Sequence, residues 1–315
     1  MPIFNDRRWA LALLFVTPAL WSVNYLVGRI APGVIAPHML ALLRWTLAGA
    51  VLAAFAWPEL VAKRDSILND AWHYFVFGAL GMWICGAWVY VGARTTSATN
   101  IALIYALSPV FIALASTFWL REKLGRVQWL GIVLAFGGLV HVVIKGQWSA
   151  LAQVRMVAGD LWILGATISW TLYSIFLKRW PSDFSPVARL VLIVGAGVVL
   201  LIPLAALEAM SGQPMTQTSW TFKTLALVVA AGTLPGAAAY LAYATLQKSL
   251  GAARAGLTLY LGPVFAAVAA YLVLGEPIER YHLLGAAVIL PGIYLASLVK
   301  TDQFKPSQTS AASKQ

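Results

Sequence analysis

The sequence predicts an all-α integral membrane protein: ten transmembrane helices in two inverted five-helix repeats around a central cavity. Three observations carry that expectation. The 315 residues are 61% hydrophobic and only 10% charged, whereas a soluble domain carries about 25% charged residues. The apolar runs are about 20 residues long and do not alternate, which suits helices crossing a bilayer, where every backbone group must be satisfied within the segment. Finally, residues 95–139 lie without a gap over residues 249–293, a shift of 154 positions.

Ten runs fit a bilayer: 9–29, 35–56, 72–93, 97–119, 127–145, 159–178, 187–208, 224–246, 252–274 and 281–299, numbered here as spans 1 to 10. Span 1 follows Arg7-Arg8, as a secretion signal would. Its length, Pro18, Asn24 and the lack of a small-x-small cleavage site favour a retained first span. Spans 4 and 5 form the repeated unit, and spans 9 and 10 are its second copy. Pro109-Val110-Phe111 falls on Pro263-Val264-Phe265, Glu122 on Glu276, Gly131 on Gly285 and Gly138 on Gly292. Spans 1 and 6 also echo, with Trp21 over Trp170, and Pro37 at the start of span 2 lies over Pro186 just before span 7, both at a shift of 149. The expected division is therefore 1–145 for the first repeat, 146–158 for a linker, 159–300 for the second repeat and 301–315 for a disordered polar tail.

The net charge of +11 would suggest nucleic acid in a soluble protein. Here the basic residues sit in the short breaks, so they set orientation in the bilayer and no nucleic-acid partner is expected. With both termini cytoplasmic, the inner segments hold Arg7, Arg8, Lys63, Arg64, Arg121, Lys123, Arg126, Lys178, Arg179, Lys248, Lys300, Lys305 and Lys314, while the outer ones hold fewer, Arg29, Arg94, Lys145, Arg155, Lys223 and Arg280. Five spans per half is odd, so the second half enters upside down. The repeated turn agrees, being basic in its first copy and acidic (Glu276, Glu279) in its second. A cell inner (plasma) membrane location follows.

Polar and aromatic side chains inside spans mark faces turned to protein or to a water-filled path. Equivalent spans supply Trp21, Asn24 and Tyr25 (span 1), Trp170 and Tyr173 (span 6), Trp83 and Tyr90 (span 3), Tyr240 and Tyr243 (span 8), Asn100, Tyr105 and Ser108 (span 4), and Thr258 and Tyr260 (span 9). These are the expected substrate-binding residues. Such a lining suits a neutral or zwitterionic solute with an apolar or aromatic part. The competing account of each is ordinary: aromatics at helix ends form an interfacial belt, as expected for Trp9, Trp57, Trp72, Trp119, Trp129, Trp148 and Trp162, and mid-span tyrosines bond carbonyls. Arg44 is a buried charge two turns into span 2, suited to a carboxylate or phosphate, or else a snorkelling or carbonyl-clamping residue. Glu122 and Glu276 read as helix-start acceptors. Pro109 and Pro263 are expected hinges, since each removes a backbone bond. Cys85, the one cysteine, reads as a small buried apolar residue. There is no phosphate-binding glycine loop, HExxH, GxSxG or paired-carboxylate centre, so no catalytic residue, metal or cofactor is expected.

The chain resembles the drug/metabolite transporter superfamily, and within it the ten-helix EamA-type proteins. The resemblance rests on WSVNYLVG at 21–28 with Arg29, on Arg44-Trp45 with Ala48-Gly49, and on the two copies SPVFIALASTFWLREKLGRVQWLGIVLAFGGL and LGPVFAAVAAYLVLGEPIERYHLLGAAVILPGIYL. It covers about residues 9–300 and implies two inverted repeats, a central cavity and alternating access. Such proteins include exporters of amino acids and related metabolites, aromatic amino acids among them. The resemblance implies a secondary transporter of small organic metabolites, with spans 5 and 10 peripheral and available to a second protomer. The rival classes are a membrane enzyme and a non-transporting accessory subunit handling lipid-linked substrates.

Overall fold

The computed structural model describes residues 7–31, 33–92, 95–96, 98–211, 218–275 and 277–298. Arg94, Glu276 and the tail at 301–315 lie outside the described residues, as do the side chains of Arg29, Tyr25 and Tyr90.

All ten runs are helical, and the described residues contain no strand. Span 1 is Arg7–Ile30, span 2 Pro37–Ala62, span 5 Arg126–Val143, span 6 Ala158–Arg179, span 7 Pro186–Met210 and span 10 Arg280–Ser297. The others are compound. Span 3 runs from Arg64 to Gly92 through a π-helical stretch, Gly78–Ile84, and span 8 from Phe222 to Leu250 through another, Gly232–Ala238. Span 4 breaks at Leu107 between Ala98–Ala106 and Ser108–Trp119, and span 9 passes from Ala252–Gly256 through a 3-10 turn, Leu257–Leu261, into Gly262–Leu274. Eight of the ten are long and apolar enough to cross a bilayer, and Ala12–Gly28 of span 1 is a shorter apolar helix. Span 10 opens on Arg280-Tyr281-His282, which lowers its hydropathy. Phe55, Phe118, Val133, Leu207, Leu272 and Leu283 are exposed around the outside, as a lipid-facing surface requires. Trp57, Trp72, Trp119, Trp148 and Trp162 are exposed near span ends, where an interfacial belt sits.

The packing crosses between the halves. Span 2 packs on span 7, span 5 on span 10, span 1 on span 8, span 3 on span 6, and span 4 on the start of span 9. Spans 2 and 7 lie antiparallel, and each ends on a glutamate that accepts from the start of the other. Glu208 takes the amide of His38 at 2.7 Å and its ring Nδ1 at 3.0 Å, and Glu59 takes the amide of Ser185 at 2.8 Å. The two glutamates stand 149 positions apart, the shift that relates Pro37 to Pro186. Each satisfies an orphan donor at a helix start and opposes its positive end. Glu122 does the same for span 9, accepting from Ala252 N at 3.0 Å and Ala253 N at 3.3 Å. It serves the helix of the other half, not the helix that follows it in sequence.

Glu59→Ala and Glu208→Ala are each expected to cost about 0.5–2 kcal/mol, the usual value of a lost cap. The two caps sit at opposite ends of a 26-residue helix, so their effects should add within about 0.5 kcal/mol. Thermal unfolding of both single variants and the double variant measures this. Strong non-additivity would show that the two ends are coupled.

Candidate functional site

The site is assembled from span centres. Trp21 of span 1 meets Trp170 at 5.5 Å between ring centroids, Tyr243 at 5.3 Å and Tyr240 at 6.1 Å. Trp170 stacks on Tyr173 at 5.2 Å, one turn further along span 6. It also touches Tyr240 at 5.5 Å and Tyr243 at 5.2 Å. Of the residues expected from the sequence, Trp21, Trp170, Tyr173, Tyr240 and Tyr243 thus share one cluster between the halves. The structure adds Trp45, whose ring stands 4.8 Å from Tyr240, and Phe77, 5.6 Å from Tyr173. Most of the crossings are edge-on or tilted, the arrangement favoured by ring quadrupoles and worth ~0.5–1.5 kcal/mol per pair beyond burial. Trp83 is half-buried against the same core.

The matched π-helical stretches shape this centre. Gly78–Ile84 and Gly232–Ala238 are related by the shift of 154. A π-turn displaces carbonyls from their usual helical partners. In span 3, Leu80 O accepts from the Ser169 hydroxyl at 2.8 Å, and Gly81 O accepts from the Tyr240 hydroxyl at 3.2 Å. A Cβ at position 81 would stand 2.9 Å from the Tyr173 ring, so glycine lets that ring reach the backbone. The Tyr243 hydroxyl is 2.9 Å from the Ser174 hydroxyl. These bonds fix ring orientations that packing alone would leave free.

The cluster is closed: Trp170 is 5% exposed and Tyr243 0%. From the end holding Lys178 and Lys248, a cleft of about 210 Å³ leads in between spans 6, 7 and 8 and reaches Tyr173. Arg189 lines it, donating to Leu177 O at 3.1 Å and to Trp180 O. On the far side of the cluster, Asn24 stands one turn beyond Trp21 and accepts from Arg44 Nη1 at 3.0 Å.

Other expected residues go elsewhere. The amide of Asn100 donates to Asp160 at 3.0 and 3.2 Å and to the carbonyl of Arg155 at 3.0 Å. Asp160 is fully buried, also accepts from Thr96, and takes the Val157 amide at 2.7 Å. It caps span 6 and ties that span to span 4 and to the turn that precedes span 4. Its signal in the sequence was an acidic residue in the first turn before an apolar run. Tyr260 is buried in a second core with Leu139 and Ile293 of spans 5 and 10. Thr258 bonds Ala255 O at 2.9 Å. Ser108 is buried, and its hydroxyl has no partner among the described residues. Tyr105 is half-buried on span 4. Pro109 and Pro263 each stand second in a new helical segment, after the breaks at Leu107 and Leu261. Proline is pre-set for the first turn of a helix, so each one starts a helix where the chain has already departed from α geometry. Among the described residues no group of three or more His, Cys, Asp or Glu could hold a metal ion.

A multi-pass helical membrane protein with cross-packed halves, an aromatic centre and a cleft reaching it from one end has the form of a small-molecule carrier. The model of the EamA-like transporter family matches residues 8–144 and again 157–298, and the chain belongs to that family. It is 25% identical over 291 residues to an uncharacterized transporter, YyaM, of Bacillus subtilis, covering 92% of this chain and 94% of that one. It is 27% identical over 289 residues to a probable terminal-alkyne amino-acid exporter of Streptantibioticus cattleyicolor, covering 91% and 92%. A solved crystal structure shares the fold, with a TM-score of 0.74 and 22% identity over 92% of this chain and 97% of that one.

Proposed function

We propose that this protein exports small organic metabolites across the inner membrane by alternating access, with amino acids bearing apolar or aromatic side chains as the best-fitting class. The moving units would be the halves 1–145 and 159–300, joined by 146–158, with both termini cytoplasmic. The observation that carries the proposal is the aromatic cluster, to which span 1 contributes Trp21 and spans 6 and 8 contribute Trp170, Tyr173, Tyr240 and Tyr243. A flat apolar group slipped among these rings would replace ring–ring contacts with ring–substrate contacts at little cost. A relative named as a probable terminal-alkyne amino-acid exporter supports the same class here. The paired π-stretches and paired breaks at Leu107 and Leu261 supply deformable points in both halves.

The test is flux of radiolabelled amino acids from proteoliposomes, across an aromatic, branched, small and charged panel, with pH-gradient and uncoupler controls. Aromatic and branched substrates are expected to move and to compete with one another. Cys85, the one cysteine, packs at the edge of the cluster and reports its opening, so maleimide labelling should change when a transported substrate is added. Absence of flux across the whole panel, with Cys85 labelling constant, would remove the proposal.

A further inference from the structure

Arg44 is a cation with no counter-ion among the described residues. It stands seven residues after Pro37, about 10 Å along span 2, and is 6% exposed. Its Nη1 donates to Asn24 Oδ1 at 3.0 Å, and its guanidinium carbon lies 4.6 Å from the centroid of the Trp45 ring. Its Nε is buried and has no partner among the described residues. No described carboxylate pairs with it; the ion pairs among the described residues involve His38, Lys63, Arg64 and His73.

The two ordinary explanations of a membrane arginine do not describe this one. A snorkelling arginine carries its head to the interface, whereas Arg44 is enclosed. A clamping arginine neutralises carbonyls at the end of a helix, where the dipole favours a cation. Arg189 does that, donating to the carbonyls of Leu177 and Trp180 at the end of span 6. Arg44 bonds a side-chain amide instead, and no described carbonyl. An enclosed cation with one neutral acceptor and one ring face is under-compensated, and removing a charge from water without a partner is costly. An arriving anion would supply the missing compensation.

We infer that Arg44 is the docking point for the carboxylate of the transported solute. Nε–H and Nη2 share one edge of the planar guanidinium, a fork suited to two carboxylate oxygens, while Nη1 on the other side is held by Asn24. Asn24 holds the fork's orientation and the Trp45 ring covers one face. The aromatic cluster begins immediately beyond, since Trp45 is 4.8 Å from Tyr240 and Trp21 is one turn from Asn24. A carboxylate at Arg44 therefore places an apolar tail of a few carbons among the rings. The ligand class is an apolar or aromatic carboxylic acid, with the carboxylate required. The inference rests on the reading of the cluster as the transport site, and its test separates the two.

Purified full-length protein is unfolded thermally with 3-phenylpropionate, L-phenylalanine or phenylalaninamide, as wild type, Arg44→Gln and Arg44→Lys. Both acids are expected to raise the wild-type Tm and the amide to leave it unchanged. Arg44→Gln should unfold no earlier than wild type without ligand, because it removes an uncompensated charge, and should lose the acid-induced shift. Arg44→Lys should bind the acids about ten- to a hundredfold more weakly, the loss expected for a charge-assisted hydrogen bond. The inference is overturned if Arg44→Gln unfolds earlier and Arg44→Lys restores it, if the amide shifts Tm as the acids do, or if neither acid shifts the wild type. Arg44-dependent acid binding without flux in proteoliposomes would leave the docking point standing and remove the transport reading. Flux indifferent to Arg44→Gln would do the reverse.

Discussion

Trp170→Ala is expected to cut flux of an aromatic amino acid about tenfold or more, equivalent to losing ~1.4 kcal/mol of binding, and to lower stability by ~3–5 kcal/mol. The indole is the hub of the cluster, touching Trp21, Tyr173, Tyr240 and Tyr243. Its removal leaves a cavity that four large rings cannot fill by rotating, because the Tyr240 and Tyr243 hydroxyls are anchored to Gly81 and Ser174. The Nε1 of Trp170 has no partner among the described residues, so Trp170→Phe loses volume but no hydrogen bond. It should keep most of the stability and a ring for the substrate. Flux is therefore measured per folded molecule, alongside Tm, for both variants. Trp170→Ala protein that transports like wild type, once corrected for its folded fraction, would reduce the cluster to packing.

The fold was legible because its signals are long. Apolar runs of bilayer length and a repeat over 45 positions survive any local irregularity, and all ten helices lie where those runs placed them. The centre was legible in part. Trp21, Trp170, Tyr173, Tyr240 and Tyr243 could be assigned from helical spacing because each lies on a face that the repeat pairs with another. Asn100 could not be placed, because a polar residue on such a face reads the same whether it turns to solute or to Asp160. Tyr260 has equivalent ambiguity, and the packing of spans 5 and 10 decides it. The π-stretches have no strong sequence signature beyond Gly78 matching Gly232, since a π-turn depends on what packs against the helix. Trp45 was visible only as a neighbour of Arg44, and its place at 4.8 Å from Tyr240 is a property of how span 2 rotates against span 8. The reciprocal caps of Glu59 and Glu208 were hidden for a similar reason: each acts on a helix start more than 120 residues away.

Gly131→Ala and Gly292→Ala should each destabilise the protein by about 1–3 kcal/mol, the cost of forcing a methyl into a close-packed contact, while Gly137→Ala should not. Spans 5 and 10 cross antiparallel, with Gly131 facing Gly292, the repeat counterpart of Gly138. A Cβ at Gly131 would stand 2.5 Å from Gly292 O, and one at Gly292 would stand 2.8 Å from Gly131 O. Seven residues further along span 5, Gly138 and Gly285 repeat the contact, with distances of 3.0 and 3.1 Å. The opposing atoms are backbone and cannot swing aside, so the helices must separate along their length. Two terms compete at each site. Replacing a helix-interior glycine with alanine gains about 1 kcal/mol of helix propensity, and only the clash can reverse the sign. Gly137 isolates the first term, since nothing lies within 4 Å of the position its Cβ would take, and Gly137→Ala should be neutral or stabilising. Because Gly131 and Gly292 occupy the same contact, the double variant should cost less than the sum of its parts: once the first methyl has pushed the helices apart, the second finds room. Thermal unfolding of the four variants reads all of this. If spans 5 and 10 act as a fixed support about which the other spans move, flux per folded molecule should remain near wild type in Gly137→Ala and fall in the other variants only as far as Tm falls. Flux lost well beyond the loss of folded protein would instead place this glycine contact in the transport motion itself.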